Sequence, residues 1–486
     1  MNKILNILCL AIVFAACSPS VNIDGQLDED VNIYPDYKGV TIPCNIAPLN
    51  FSVDSAQGRY ALVLDGNGKS LTVTAKDGDF DIPQDQWREL LAAAAGDSLS
   101  ATVAKEVDGK WLAYRPFGIF VVKDTIDRML VYRRLPPLYG LWMNMGIYQR
   151  DLQTFEETAI YTNDYNDGNC VNCHSLCNRQ PDRMMMHQRV TNGGTYILRD
   201  GEKIRLDSKF DSGRPTLTYP YWHPSGRFIA YSVNNIFQVF HTSDPNRVEV
   251  CDDASDIAVY DIETNEAFTS PLLDSKGSLE TFPAFSPDGR TLYFCSAPAP
   301  EAMPQDYKDV RYSLCAIAFD PATRQFGNSV DTLFNAEERG LSVSFPRPSP
   351  DGSYLVATVH GYGNFSIWHK DADLWIMDVH TGDWSPLDPA NSPDVDSYHS
   401  WSGNSRWLAF SSRRDDGLYT RPYFAYIDEN GRAGKPFMLP QRHPRQYYRD
   451  LQDSYNIPEL AAGPIGLTPA EACEWSRQPA KKIILK

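Results

Sequence analysis

The chain has 486 residues and a net charge of −17, with 42% apolar and 22% charged residues. This composition excludes a disordered chain, a collagen-like chain and a polytopic membrane protein. The acidic balance also argues against a nucleic-acid-binding protein, because such proteins use basic surface to displace the counterions of the phosphate backbone.

Residues 1–16 have the features of a lipoprotein signal peptide. Lys3 precedes the apolar run Ile4–Phe14, which is too short for a membrane-spanning helix. Small residues then precede Cys17, and this pattern resembles a bacterial lipobox, in which the cysteine is lipidated. The resemblance implies a membrane anchor at Cys17, and Ser18 favours the outer membrane, with the protein on its periplasmic side or on the surface. An ordinary signal peptide that happens to contain Cys17 is the alternative.

The next segment predicts a tether and then a small β domain. Residues 17–37 are polar and acidic, as expected of a tether to the lipid. Two alternating patterns with Gly/Asn or Asp-Gly turns, at 60–75 and 98–114, predict β-hairpins. We therefore expect a β-sandwich-like domain over residues 38–127.

Residues 128–190 are interpreted as a linker and a haem c segment. Cys170, Cys173 and His174 form C-x-x-C-H, the attachment signature of c-type haem. On a helical turn residues three apart share a face, so both thiols would reach the vinyl groups of one porphyrin and His174 would ligate the iron. Asn169 would cap that short helix.

Three other uses of these residues remain open. Cys170 and Cys173 would also suit a disulfide or a thiol redox pair, and Cys177 would extend the set to four metal ligands. For haem, the sixth iron position would stay open or take a ligand from the following candidates: Met184, Met185, Met186, His187 or a propeller residue such as His241.

Four repeats organise residues 191–445. The segments 222–232, 285–295, 348–358 and 401–411 share a Ser-Pro-Asp-Gly-like turn followed by an alternating strand. One such sheet cannot bury its own face, so several sheets arranged around an axis, a β-propeller, are expected. Residues 446–486 are interpreted as a segment that docks on the fold, with a short capped helix.

The repeat signature resembles the TolB-like six-bladed propellers. The run C-V-N-C-H-S-L-C-N, followed by P-Y-W-H-P-S-G-R-F-I-A-Y-S, resembles bacterial lipoproteins with a c-type haem motif ahead of such a propeller. This resemblance implies a mainly β fold with a six-bladed propeller and one covalent haem c held by Cys170, Cys173 and His174.

The expected function is electron transfer, or redox-linked binding of a protein partner at the propeller face, by a haem-bearing envelope lipoprotein. One alternative is a non-enzymatic scaffold of an outer-membrane assembly, with a structural haem or a C-x-x-C disulfide. Another is a haem enzyme of the peroxidase type. Because the chain lacks G-x-S-x-G, H-E-x-x-H and Walker motifs, no catalytic residues are assigned. The polar clusters 252–256, 368–373 and 394–399 are interpreted as solvated loops.

Overall fold

A computed structural model describes residues 21–137, 144–207 and 217–486. The expected signal peptide and Cys17 lie outside these residues, as do the side chains of Asn166, Asn172 and Cys173. The fold is mainly β, as predicted. Within the described ranges, no helix combines the length and the apolar character that crossing a membrane requires.

The N-terminal domain contains nine strands and one helix. These elements are β1 (Ile23–Asp30), β2 (Ile33–Tyr34), β3 (Thr41–Pro43), β4 (Ser52–Val53), β5 (Arg59–Gly66), β6 (Lys69–Lys76), α1 (Gln84–Ala94), β7 (Asp97–Val107), β8 (Lys110–Arg115) and β9 (Phe117–Val122). The sandwich-like domain expected here takes the form of one seven-stranded sheet and the two-stranded β2–β4 ladder. Helix α1 packs on the large sheet through the buried Trp87, Leu90 and Leu91.

The expected tether is partly ordered, which corrects its predicted role. Strand β1 pairs in parallel with β8 at the edge of the large sheet. Arg115 of β8 forms an ion pair with Asp28 of β1 at 2.7 Å, and both side chains are exposed. Residues 23–30 therefore belong to the N-terminal domain.

The remaining strands build six sheets. In the first half they are β10 (Met129–Leu135), β11 (Gly146–Asp151), β12 (Glu157–Thr162), β13 (Val171–Leu176), β14 (Arg183–Gln188), β15 (Gly194–Arg199), β16 (Glu202–Asp207), β17 (Leu217–Trp222), β18 (Phe228–Phe240), β19 (Val248–Asp261) and β20 (Glu266–Phe268). They continue with β21 (Ser278–Phe285), β22 (Thr291–Pro298), β23 (Ser313–Asp320), β24 (Gln325–Phe334), α2 (Ala336–Arg339), β25 (Ser342–Pro348), β26 (Tyr354–His360), β27 (Asp373–Asp378) and β28 (Trp384–Pro386). The last are β29 (Asp396–Trp401), β30 (Trp407–Ser412), β31 (Arg421–Tyr426), β32 (Phe437–Met438), α3 (Pro444–Asp450), β33 (Ser454–Ala461), α4 (Pro469–Ser476), β34 (Lys481–Lys482) and β35 (Ile484–Leu485).

These sheets are the blades of a closed propeller. Among the described residues, the sheets β33-β10-β11-β12, β13–β16, β17–β20, β21–β24, β25–β28 and β29–β32 each contain four strands in blade order. Their innermost strands contact one another in a ring: β13, β17, β21, β25, β29, β33 and again β13. The six-bladed propeller is therefore confirmed for the described chain.

The ring is closed by a blade assembled from two distant parts of the chain. Strand β33 pairs with β10 in an antiparallel register that includes Leu130↔Leu460. The boundaries predicted from the sequence are corrected accordingly. Residues 128–190 are not a linker but contribute strands to two blades, and residues 446–486 contain an innermost strand rather than only a docking segment.

Each innermost strand carries a β-bulge at the same position. In β17, Tyr219 and Pro220 fall between the paired residues Thr218↔Ser232 and Tyr221↔Ala230, so two residues oppose one. The corresponding pairs in the other blades are Cys173–His174, Phe282–Pro283, Phe345–Pro346, Tyr398–His399 and Ile457–Pro458. The motif segment around His174 is thus one of six equivalent bulges.

The first bulge residues meet at the axis. Tyr219, Phe282, Phe345, Tyr398 and Ile457 all have a positive φ, between 45° and 53°, which aims their side chains away from the regular strand alternation. The ring centroids of Phe282 and Phe345 lie 4.1 Å apart, and those of Phe345 and Tyr398 lie 4.7 Å apart. We call these five residues the axial ring, because they divide the propeller channel into two ends.

The C-terminal segment fastens the outer edges of two blades. Strand β34 pairs with β16, and β35 pairs with β20. Helix α4 begins with a capping box formed by Thr468 and Glu471. Its buried Trp475 packs edge-on against Tyr196 at a centroid distance of 5.4 Å. The predicted short capped helix is present and packs on the propeller.

Candidate functional site in the propeller axis

A cavity of about 950 Å³, its open mouth included, lies at the end of the axis where the innermost strands begin. Four residues of the axial ring, Tyr219, Phe345, Tyr398 and Ile457, form its floor. The long β18–β19 hairpin extends beyond its own blade and contributes wall residues. They are Ile236, Gln238, Val248 and Val250. The walls are thus mainly apolar.

Three arginines interrupt the apolar lining, so we call this space the arginine cavity. Arg133 of β10 is 8% exposed, Arg413 after β30 is 3% exposed, and Arg189 follows β14. No aspartate or glutamate is among the described residues that line the cavity. In a chain with a net charge of −17, this concentration of one sign of charge favours anions in the cavity.

Arg413 is held rigidly in the wall. Its guanidinium carbon lies 3.3 Å from the ring centroid of Trp368, a stacked cation–π contact. Its Nε donates to the Leu418 carbonyl at 3.0 Å, and its Nη1 donates to the Ile367 carbonyl. Burial lowers the pKa of Arg413 to about 9, although the charge of Asp394 opposes this shift. These contacts therefore offset only part of the desolvation cost of the charged form.

Cys170 of the predicted motif opens into the arginine cavity. Its carbonyl accepts a hydrogen bond from the Arg189 backbone N–H at 2.9 Å, and its side chain is partly buried. The buried Nε of Arg189 makes no hydrogen bond to the described residues. A thiol and a guanidinium group therefore stand next to each other in one wall of the cavity.

His174 lies at the other end of the axis. It lines a second cavity of about 440 Å³, which Glu459 also lines and Cys170 does not. The His174 side chain is completely buried, and its Nε2 lies 3.7 Å from Glu459 Oε2. Neither ring nitrogen has a well-aligned hydrogen bond, although the backbone carbonyls of Val131 and Ile457 are close. Burial, with a smaller effect of the charge on Arg133, lowers the pKa of His174 to about 3, so the imidazole is neutral at physiological pH.

Glu459 is the acidic group of this second cavity. Burial raises its pKa to about 7, against the opposing charge of Arg347. Its Oε1 accepts the backbone N–H of Leu176 at 3.4 Å, and its side chain is 22% exposed. The Glu459 carboxyl group therefore gains and loses a proton near neutral pH, whereas the neighbouring His174 stays neutral there.

The motif as folded does not fit haem attachment. The segment from Val171 to Leu176 is strand β13 and not the predicted helical turn, because it supplies the innermost strand of a blade. Cys170 and His174 line cavities on opposite sides of the axial ring. A porphyrin bonded at Cys170 with its iron over His174 would need both groups to face one space. The side chain of Cys173 lies outside the described residues.

The candidate distal ligands belong to the packing between blades. Met184 and Met186 lie in one hydrophobic cluster and Met185 in the neighbouring one, which is the alternation expected along β14. His187 is completely buried, and its Nδ1 lies 3.1 Å from Thr195 Oγ1. None of these four residues lines either axial cavity. Burial lowers the pKa of His187 to about 3.

Two of the clusters interpreted as solvated loops are buried in part, at a contact between blades. Asp252 is 2% exposed and accepts hydrogen bonds from Asn234 at 2.7 Å and from the Tyr312 hydroxyl at 3.0 Å. His369 is completely buried and its Nε2 lies 2.9 Å from Glu249 Oε2. These contacts attach the β18–β19 hairpin to neighbouring blades, a pairing between distant segments that local sequence does not reveal.

The third cluster is buried too, because Asp396 and His399 are 0% and 3% exposed. No local motif marks Arg133, Arg189 and Arg413 as neighbours, since they come from separate blades. The sequence signal for their shared cavity was the predicted propeller, because a propeller brings the ends of its innermost strands together.

Across the part of the chain that is described, no group of three or more His, Cys, Asp or Glu residues is arranged to hold a metal ion.

Comparison with known proteins finds similar solved structures but no family. The chain matches no protein-family profile and no curated protein. Among solved structures it is similar to prolyl endopeptidases, with 11% identity and a TM-score of 0.33 over 71% of this chain, and it spans 42% of that chain. It is also similar to the β-propeller domain of the trilobed protease from Pyrococcus furiosus, with 11% identity, a TM-score of 0.30 and coverage of 68% of this chain and 79% of that one.

A third similar structure is a DUF4784 family protein from Bacteroides caccae. The identity is 8%, the TM-score is 0.31, and the coverage is 75% of this chain and 97% of that chain. The propeller assignment itself depends on the six sheets and the ring of innermost strands.

Proposed function

We propose that this protein is a lipid-anchored binding protein of the cell envelope that takes a ligand into its arginine cavity. The anchor at Cys17 and the outer-membrane location follow from the signal sequence. The propeller supplies a rigid scaffold, and the cavity supplies a concave, mainly apolar site with a few polar groups, as ligand sites usually do. The protein acts by recognition and carries no assigned catalytic group.

One observation carries this proposal: three arginines line an axial cavity of an acidic protein, and no carboxylate is among the described residues of that lining. Burying a guanidinium group costs free energy unless a counter-charge or hydrogen bonds compensate. Arg413 has two carbonyl acceptors, whereas the buried Nε of Arg189 has no hydrogen bond to the described residues. An anionic ligand would supply a counter-charge at this wall.

Thermal unfolding of the exported, processed protein tests the proposal. The protein is heated with a panel of small anionic, neutral and cationic aromatic compounds, and the same panel is applied to Val250→Trp. Val250 is 8% exposed and lines the cavity, so the indole would fill the space. A ligand that binds the native state raises the melting temperature of the wild type only. If no compound in the panel raises the melting temperature of the wild type more than that of Val250→Trp, the proposal is wrong.

Covalent haem c with a role in electron transfer is the second proposal. The C-x-x-C-H sequence, the opening of Cys170 into the cavity and the absence of aligned hydrogen bonds at both His174 nitrogens support it. Haem would supply reversible one-electron chemistry. It would need Cys170, Cys173 and His174 to face one space, which requires a rearrangement of β13.

A pyridine haemochrome spectrum decides this second proposal. The protein is exported from cells that carry the haem-attachment machinery, and the variant Cys170→Ser is prepared in parallel. Covalent haem gives a Soret band that survives denaturation in the wild type and is reduced in the variant. Protein with no Soret band, and with the mass of the processed chain alone, would exclude the cytochrome function.

A further inference from the structure

We infer that the ligand of the arginine cavity is an organic anion with an apolar, aromatic body. This inference rests on the proposed binding function and names its ligand class. The charged groups of the described lining are guanidinium groups, Gln238, Ser454 and Asn456 add neutral polar groups, and most of the remaining lining is aromatic or aliphatic. A carboxylate, sulfonate or phosphate group matches the guanidinium groups, and a ring system matches the apolar part of the lining.

Arg413 and Arg189 each offer an N–H group to an anionic head group in the cavity. Arg413 uses Nε and Nη1 for the carbonyls of Leu418 and Ile367, so its Nη2 has no hydrogen bond within the described residues. Arg189 leaves its buried Nε without one as well. An oxyanion accepts such N–H groups in charge-assisted hydrogen bonds, and guanidinium is the side chain best shaped for it.

The apolar part of the cavity suits a ring. Phe345 and Tyr398 of the axial ring form the floor, and Phe365 and Trp368 stand in the wall. Aromatic side chains bind planar groups by stacking and edge contacts in addition to burying apolar area. The axial ring lies between this cavity and the end that holds His174 and Glu459.

Ligand charge is coupled to the ionisation of Arg413. Burial lowers the pKa of its guanidinium group to about 9, and Asp394 and Asp416 oppose that shift. An anion bound beside Arg413 would favour the charged form and raise this pKa. Affinity for an anion should therefore be constant near neutral pH and weaken as the pH rises above about 9, whereas affinity for a neutral ring should not change.

Two fluorescent probes with the same ring system test the inference on the full chain. 8-Anilinonaphthalene-1-sulfonate is an aromatic anion, and N-phenyl-1-naphthylamine is the same skeleton without the sulfonate. We expect saturable binding of the anion, with an affinity at least tenfold above that of the neutral probe. Arg189→Gln and Arg413→Gln should each weaken the affinity for the anion by roughly tenfold to a hundredfold, the range of a charge-assisted hydrogen bond. Neither substitution should change the affinity for the neutral probe.

Controls separate this result from unfolding. Arg179→Gln is the matched variant, because Arg179 lines a cavity at the opposite end of the axis, and it should bind the anion like the wild type. Arg189 is partly exposed, so its variant remains informative if Arg413→Gln does not fold. Near-UV circular dichroism checks native packing, and hemin serves as a third probe, with Cys170→Ser distinguishing covalent from reversible binding.

The possible outcomes separate the inference from the proposed function. If the neutral probe binds as tightly as the anion, or if both arginine variants bind the anion normally, the inferred ligand class is wrong. If neutral or cationic ring compounds bind and Val250→Trp abolishes their binding, the proposed binding function stands. Only the inferred ligand class, an aromatic anion, would then be wrong. If neither probe binds the wild type and no compound stabilises it, both fail.

Discussion

His174 of β13 and His399 of β29 occupy the same position in two blades of the propeller. Each is the second residue of the bulge in its innermost strand; the register resumes at His174 itself, opposite Met186, in β13 and at Ser400 in β29. Both side chains are buried, and burial lowers both pKa values to about 3. His399 Nε2 donates to the Val356 carbonyl at 2.9 Å, so a histidine at this position serves the packing of the blade.

Replacing His174 with proline tests this equivalence. Four other blades have proline at the same bulge position, so the backbone there needs no N–H group. We expect His174→Pro to fold, with a loss of about 1–3 kcal/mol from the missing imidazole packing. Urea unfolding followed by fluorescence measures the free energy of unfolding.

His187→Pro is the matched control for that experiment. His187 lies in β14, which pairs with strands on both sides, so proline there removes a ladder hydrogen bond from a central strand. This variant should fail to fold or lose far more stability. Equal damage from the two substitutions would mean that His174 is not equivalent to the proline positions.

Buried neutral histidines should make the fold sensitive to acid. The pKa of His187 is about 3 in the folded protein and about 6.5 in an unfolded chain. The unfolded state therefore binds the extra proton between these values, and stability present above pH 6.5 is lost as the pH falls toward 3. We expect His187→Gln to lower the slope of unfolding free energy against pH by up to about 1.4 kcal/mol per pH unit between pH 6 and 4.

The exposed His380 provides the control for this slope. His380→Gln removes a histidine from the surface without changing the core, so it controls for the substitution itself. Carboxylates with shifted pKa values act equally in all three proteins and cancel in the comparison. Identical slopes for His187→Gln and the wild type would show that His187 takes up its proton before unfolding.

The hairpin over the arginine cavity should depend on Glu249. Its carboxylate accepts from the Tyr362 hydroxyl at 2.7 Å and lies 2.9 Å from His369 Nε2. Glu249→Ala removes this acceptor from the buried His369 ring and the half-buried Tyr362 hydroxyl, at a cost of about 2–4 kcal/mol. Hydrogen exchange should accelerate in the extension of β18 and β19, whereas the exposed Asp253→Ala changes stability by less than about 0.5 kcal/mol. Unchanged exchange in Glu249→Ala would contradict this role.

Two truncations distinguish closure of the propeller from edge pairing. Ending the chain after Gln478 removes β34 and β35, which pair only at outer blade edges, so cooperative unfolding should persist. Ending it after Asp450 removes β33, the innermost strand of the closing blade. That protein should lose its cooperative transition in circular dichroism and expand in gel filtration. A cooperative transition in the shorter chain would refute closure by β33.

Local sequence was sufficient to predict the blades that carry the repeated turn and strand pattern. The turns at Gly226, Gly289 and Gly352 have positive φ, as the Pro-Asp-Gly-like pattern predicted, and alternating strands follow them. The mainly β fold, the propeller and the capped helix at Thr468 were therefore predictable. The strands β13 and β33 were not, because they lack the repeat turn and are defined by their neighbours.

The sequence by itself determined that four repeated blade segments would be present and that Cys170, Cys173 and His174 would stand within five residues of one another. Only the tertiary structure decided what those residues face. In β13 the chain is extended and bulged, so Cys170 opens into the arginine cavity and His174 toward Glu459. The arginines meet for the same reason: contacts around a closed ring join residues that are far apart in the chain, and local spacing contains no record of that closure.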